Sequence, residues 1–227
     1  MKKSKRMVSL ILLLLVVPAI AVGGYFLFRE RGYVWISVCI AVIACIPFFV
    51  SFEKKVGDVR KTVLLAFMIA LSVLGRMLFT YLPHFKPVTA IVILAGLYLG
   101  AESGFLCGSL SVLVSNFIFG QGPWTPFQMV AWGVIGFLAG LCSFALKKNM
   151  ILLVIFGAVS GVAYSLFMDI LTVLWLDGTF NGEKYLAAVT ASLPITAVYV
   201  FSNIVFLFVL VKPLGKKIER VIQKYGL

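Results

Sequence analysis

The stretch Asn116-Phe-Ile-Phe-Gly-Gln-Gly-Pro-Trp-Thr-Pro-Phe-Gln-Met129 decides how this chain is read. It is a long interruption, rich in turn formers and hydrogen-bonding groups, inside an otherwise hydrophobic sequence. Gly120, Gly122, Pro123 and Pro126 are expected to break any helix there, because glycine disfavours helix and proline lacks the donor N–H. Gln121, Thr125 and Gln128 offer donors and acceptors, and Trp124 and Phe127 offer flat apolar area. A plain turn with an interfacial tryptophan needs only about four residues. Broken backbone of greater length, beside polar and aromatic side chains and between two apolar runs, predicts a small-molecule site at a membrane surface.

The surrounding composition sets that surface. The chain has 227 residues, is 62% hydrophobic and 12% charged, and has a mean hydropathy of +1.11. Soluble domains carry roughly 25% charged residues, so this is an all-α polytopic membrane protein, a multi-pass protein of the cell membrane. At about 20 residues per span, the length accommodates seven or eight spans. The net charge of +12 sits at span ends, where it orients helices and meets anionic headgroups. No basic stretch is interleaved with exposed aromatics, which argues against nucleic acid as a partner. Cys39, Cys45, Cys107 and Cys142 all lie in apolar runs, without metal-ligand spacing to one another or to His84. They read as small buried hydrophobes, and no metal or cofactor is expected.

Eight apolar segments follow in order. Residues 7–28 come after a basic start and also resemble a signal peptide with Ala19-Ile-Ala21 as the cleavage site; apolar residues continue through Phe28, favouring a retained helix over a cleaved one. Residues 33–52 form a second span. The charged loop 53–61 then separates a two-helix extension (1–57) from the rest (58–227). Residues 62–82 contain Ala66 and Ala70, small residues four apart on one helical face that allow another helix to approach closely. Residues 88–99 are too short to span unaided. Segments 104–119, 127–146, 150–176 and 185–211 complete the set, with Gly133, Gly136, Ala139 and Gly140 as a close-packing face. The basic tail, residues 212–227, places Leu214, Ile218, Val221 and Ile222 on one face and is expected to lie along the membrane.

With the N-terminus inside, fifteen Lys and Arg fall in inner connections and four in outer ones. Both termini are therefore expected in the cytoplasm, and the loop 120–126 outside. Arg76 and Asp169 then lie roughly 10 Å below the outer face at about 1.5 Å rise per residue. Two intramembrane charges at one depth suggest an ion pair, a polar cavity, or both. Asn203 lies deeper and reads as a helix–helix contact. There is no Gly-Lys-Ser/Thr phosphate loop, no His-Glu-x-x-His and no Gly-x-Ser-x-Gly, so the chain is not read as an enzyme and cannot energise transport through a P-loop of its own.

From Lys61 onward the chain resembles the substrate-binding S component of an energy-coupling factor (ECF) vitamin transporter. The six segments after Lys61, the second one short, and Ala66-x-x-x-Ala70 carry that resemblance. Lys86-Pro-Val-Thr-Ala-Ile-Val-Ile-Leu-Ala-Gly, the stretch 116–129 and Gly133 to Gly140 further resemble the branch associated with cobalamin and related corrinoids. The resemblance implies a six-helix core, capture of a vitamin from outside, and toppling of the subunit on docking; the two extra helices that precede the core depart from the six-helix pattern. Docking would place Ala66 and Ala70 against a transmembrane coupling subunit shared with two cytoplasmic ATPases. The candidate pocket residues are Arg76, Thr89, Asn116, Gln121, Trp124, Thr125, Gln128 and Asp169. Rival readings are an S component for another vitamin or a nucleobase-like compound, a stand-alone carrier or channel, and a structural membrane protein without ligand.

Overall fold

The computed structural model describes residues 59–226, together with the helical residues Val42, Ile43, Cys45 and Ile46. The expected spans 7–28 and 33–52, apart from those four residues, lie outside the described part, as do the cleavage site and most of the charged loop. The described elements are all helices: α1 (Val59–Leu78), α2 (Val88–Leu99), α3 (Ala101–Phe119), α4 (Trp124–Leu141), α5 (Ser143–Lys148), α6 (Met150–Asp177) and α7 (Gly182–Tyr225). Of these, α1, α3, α4, α6 and α7 are long and apolar enough to cross a membrane.

The short helix α2 sits at the centre. Its 12 residues extend about 18 Å, less than the roughly 30 Å hydrocarbon core. All of them except Tyr98 are buried, so α2 reads as apolar all round because protein surrounds it. It packs on α4, α3, α1 and α7. Both ends of α3 are set by glycines at positive φ, Gly100 at 95° and Gly120 at 102°, a region that side chains with a Cβ avoid.

Close packing of α2, α3 and α4 rests on absent side chains. A Cβ on Gly104 would strike the Gly136 backbone, one on Gly136 would strike the Gly104 carbonyl, and one on Gly96 would strike the Gly136 carbonyl. Gly140 lies as closely against Ala101, and Gly133 meets Phe105 and Ser109. The expected small-residue face of α4 is thus the face that lets the backbones meet, with Ala139 fully buried beside it.

Three expectations are corrected. Pro126 does not break the chain: it sits in the first turn of α4, where its missing N–H would have had no helical partner. The break therefore shrinks to residues 120–123, with Asn116 still on α3 and Gln128 already on α4. The tail is not a separate surface helix, because α7 runs for 44 residues through Pro194 and Pro213. Its apolar stripe folds onto the protein itself: Ile218 is buried and Leu214, Val221 and Ile222 pack against the core. Gly215 lies against the Tyr98 ring, and Arg60 Nη1 donates to the Tyr225 carbonyl at 3.1 Å. Close-packed helix ends cover that stripe better than a wet interface does. Finally, Cys142 is exposed, whereas Cys45 and Cys107 are buried; it marks the joint between α4 and α5.

The alternating helices bring residues 79–87, 120–123 and 178–181 to one end of the bundle. At that end Asn181 caps α7, its Oδ1 accepting from the N–H of Glu183 at 2.9 Å and Lys184 at 3.2 Å.

Candidate functional site

A cavity of about 170 Å³ opens between α1, α4, α6, α7 and the start of α2, at the end carrying the 79–87 connection. Arg76 comes from α1, His84 and Lys86 from the connection, and Thr89 from the first turn of α2. Gln128 and Trp132 stand one turn apart on α4, Tyr164 lies on α6, and Tyr199 and Asn203 lie one turn apart on α7. Two other cavities among the described residues differ in kind. One, of about 330 Å³ between α4 and α6, is apolar and holds no charged side chain. The other, of about 490 Å³, lies beside Leu113, Gln121, Thr125 and Pro126.

The aromatic wall is built in series. Trp132 stacks on Tyr164 with centroids 4.4 Å apart and planes 27° apart. Tyr164 meets Tyr199 edge-on at 5.0 Å, and Tyr199 meets the His84 ring at 5.2 Å. Trp132 Nε1 donates to Thr89 Oγ1 at 3.1 Å, so the indole is fixed at both its face and its edge.

Cations line the same cavity. Arg76 Nη1 donates to Ser115 Oγ at 2.6 Å and to Asn116 Oδ1 at 2.8 Å. Its guanidinium lies over the rings of Phe119 (5.0 Å) and Trp132 (5.8 Å). Lys86 Nζ lies 5.3 Å from the same Phe119 ring. No carboxylate lines the cavity among the described residues. Burial, and then the Arg76 charge, lowers the Lys86 ammonium below its ordinary value. Burial, and then the Lys86 charge, lowers the His84 imidazole in the same way.

The hydrogen bonds also have a direction. Arginine can only donate, so Asn116 must turn its oxygen toward Arg76. Its Nδ2 then donates to Thr125 Oγ1 at 2.9 Å and Gln128 Oε1 at 3.1 Å. Gln128 thereby spends its oxygen on Asn116, and its amide nitrogen is turned to the Tyr164 hydroxyl on the cavity wall. Thr125 Oγ1 in turn donates to Gln121 Oε1 at 2.9 Å. The polar wall is consequently a set of donors around a flat aromatic surface, suited to a flat ring with an acceptor-rich or anionic edge.

The sequence-predicted residues separate accordingly. Arg76, Thr89 and Gln128 line the cavity. Asn116, 1% exposed, stands behind it and orients two of them. Thr125 and Gln121 continue the same network away from the cavity, and Gln121 Nε2 donates to the Leu113 carbonyl at 3.1 Å. Trp124 begins α4 and is exposed. Asp169 is not paired with Arg76: its Oδ2 accepts from Ser192 Oγ at 2.7 Å, joining α6 to α7. Equal depth did not mean equal facing, because Arg76 is turned toward α3 and Asp169 toward α7. Asn203 donates from Nδ2 to the Gly157 carbonyl at 2.9 Å, the helix–helix contact expected, and also lines the cavity. Ala66 and Ala70 are exposed on α1.

His84, Lys86, Trp132, Tyr164 and Tyr199 were missed as site residues. Trp132 carried a usable signal, since it follows Gln128 by one helical turn; Tyr164 and Tyr199 read as ordinary packing.

No match to the chain was found among curated proteins or solved structures. Residues 56–219, well over half of the chain, match the model of the family described as "ECF-type riboflavin transporter, S component". With five helices able to cross a membrane and that match, the chain belongs to the family of ECF-type riboflavin transporter S components and is a multi-pass protein of the cell membrane.

Proposed function

We propose that this chain is the substrate-capture subunit of an ECF importer and that its substrate is riboflavin. The observation that carries the substrate is the convergence on one cavity of Arg76, Lys86 and the Gln128 amide with the stacked Trp132–Tyr164 pair. A flavin is a flat tricycle with an apolar xylene edge and a carbonyl-rich pyrimidine edge. The donors suit the carbonyls, and the aromatic wall suits the ring face.

The family description names riboflavin and gives the corrinoid expectation no support. Size argues the same way. The cavity, about 170 Å³, is small beside the roughly 300–1,000 Å³ of sites that engulf a drug-sized ligand. A corrin macrocycle exceeds that volume by far more than a flavin ring does.

In this reading both termini are cytoplasmic and the 79–87 end faces outside. Ala66 and Ala70 offer the close-approach face for a transmembrane coupling subunit that works with two cytoplasmic ATPases. The chain is then not an enzyme, and the energy of ATP hydrolysis enters through those partners.

Competition on the purified protein tests the substrate. Riboflavin displaces bound riboflavin at stoichiometric concentration, and cobalamin at a hundredfold excess does not. Displacement by cobalamin, or binding of cobalamin alone, overturns the assignment.

A further inference from the structure

Residues 79–87 link α1 to α2 and bring two lining side chains, His84 and Lys86, to the cavity mouth. A connection outside regular helix must find partners for its backbone polar groups elsewhere. His84 also takes φ 61°, a left-handed conformation uncommon for a residue with a Cβ. Two side chains on one face of α7 hold this connection. Tyr199 OH lies 2.9 Å from His84 Nδ1. Three residues on, Ser202 Oγ accepts from the Lys86 N–H at 2.9 Å and donates to the Lys86 carbonyl at 3.0 Å. One hydroxyl thus satisfies both backbone groups of the residue preceding Pro87, whose ring rests against Gly75 of α1. Ser202 is 1% exposed, so water competes little for either bond.

We propose that Ser202 is a positioning residue of the binding site: by clamping the Lys86 backbone it fixes the 79–87 connection over the cavity and places the Lys86 ammonium beside Arg76, where both cations share the Phe119 ring. The consequence for affinity rests on the flavin reading above; the clamp itself does not. Because α7 supplies both Ser202 and the lining residues Tyr199 and Asn203, a shift of α7 against α1 moves the mouth and the aromatic wall together.

Two measurements on the full-length protein test this. Backbone hydrogen exchange of residues 79–88, without ligand, speeds up about tenfold in Ser202→Ala, as expected for losing two hydrogen bonds. Ser202→Cys, which keeps the volume but weakens both bonds, falls between, and it carries the test if the alanine variant does not fold. Riboflavin affinity drops about tenfold in Ser202→Ala, and that drop vanishes in a Lys86→Ala background. Unchanged exchange at 79–88 overturns the clamp. An affinity loss of equal size in both backgrounds overturns the placement of Lys86. If the unaltered protein binds no riboflavin, the flavin reading falls, and the exchange result alone decides on the clamp.

Discussion

Arg76 of α1 and Asn116 of α3 meet inside the bundle, guanidinium Nη1 2.8 Å from amide Oδ1. This contact sets the polarity of the whole polar wall, because the donor-only arginine fixes the amide of Asn116, which in turn fixes that of Gln128. Asn116→Leu removes an acceptor from a largely buried cation and a donor from Gln128. The expected cost is about 2–4 kcal/mol of stability, read as a lower melting temperature in detergent. Arg76→Lys keeps the charge but cannot address Ser115 and Asn116 with one planar group. It lowers riboflavin affinity about tenfold while sparing stability more than Asn116→Leu does.

The Trp132 indole is held by its stack on Tyr164 and its bond to Thr89. Trp132→Phe retains much of the first and loses the second, leaving the buried Thr89 hydroxyl without its donor, at about 1 kcal/mol. Trp132→Ala also loses the ring and opens a cavity, costing about 3–5 kcal/mol. Chemical denaturation of the two variants separates these magnitudes, and riboflavin binding weakens in the same order.

Gly136 stands where the α2, α3 and α4 backbones converge. Gly136→Ala has no room for its methyl without separating α4 from α3, an overpacking cost of about 1–3 kcal/mol. Gly182→Ala, placed where a Cβ meets nothing nearby, leaves the melting temperature within a degree or so of the parent, the small effect typical of surface substitutions.

His84 has its proton affinity depressed below the ordinary 6.5 by burial and by Lys86. Tyr199, with which its ring is in contact, and Lys86 and Arg76 nearby are the charged and titratable groups facing it. A depressed base binds more protons unfolded than folded, so stability falls as pH drops below about 6.5 and continues to fall until the folded imidazole is itself protonated. Melting temperature against pH shows that slope in the parent protein, and His84→Asn flattens it. Lys86 is depressed from 10.5 by burial and by Arg76. Its charge, and any ligand binding that needs it, is therefore lost at a lower alkaline pH than an exposed lysine would show.

Much of the fold was legible because membrane packing leaves strong marks. Gly133, Gly136 and Gly140 sat at helical spacing and proved to be the contact surface of α4. The short α2 was visible as an apolar run below spanning length. The break at 116–129 lies at the end of the bundle where the 79–87 connection and the cavity lie, but it overstated the loop, since a proline three residues into a helix looks the same in sequence as one that ends it. The pairing of Arg76 with Asp169 failed for a related reason. Depth follows from residue count, whereas facing depends on rotation about each helix axis, and that is set by packing. Tyr164 and Tyr199 were invisible as site residues because tyrosines in apolar runs have the same pattern whether they pack or line a cavity.

Ala66 and Ala70 remain exposed on α1. Ala66→Trp and Ala70→Trp are expected to leave the melting temperature and riboflavin affinity near those of the parent. Both abolish copurification with a transmembrane coupling subunit and its ATPases. Retained copurification in both would place the docking face elsewhere.

The most direct measurement is titration of the purified protein with riboflavin, followed by flavin fluorescence. A ring seated against Trp132 and Tyr164 is quenched, with one-to-one saturation at micromolar concentration or below, about −8 kcal/mol or better. The quench is lost in Trp132→Ala and weakened in Arg76→Lys. Flavin fluorescence that stays unchanged up to a large excess of folded protein would contradict the account.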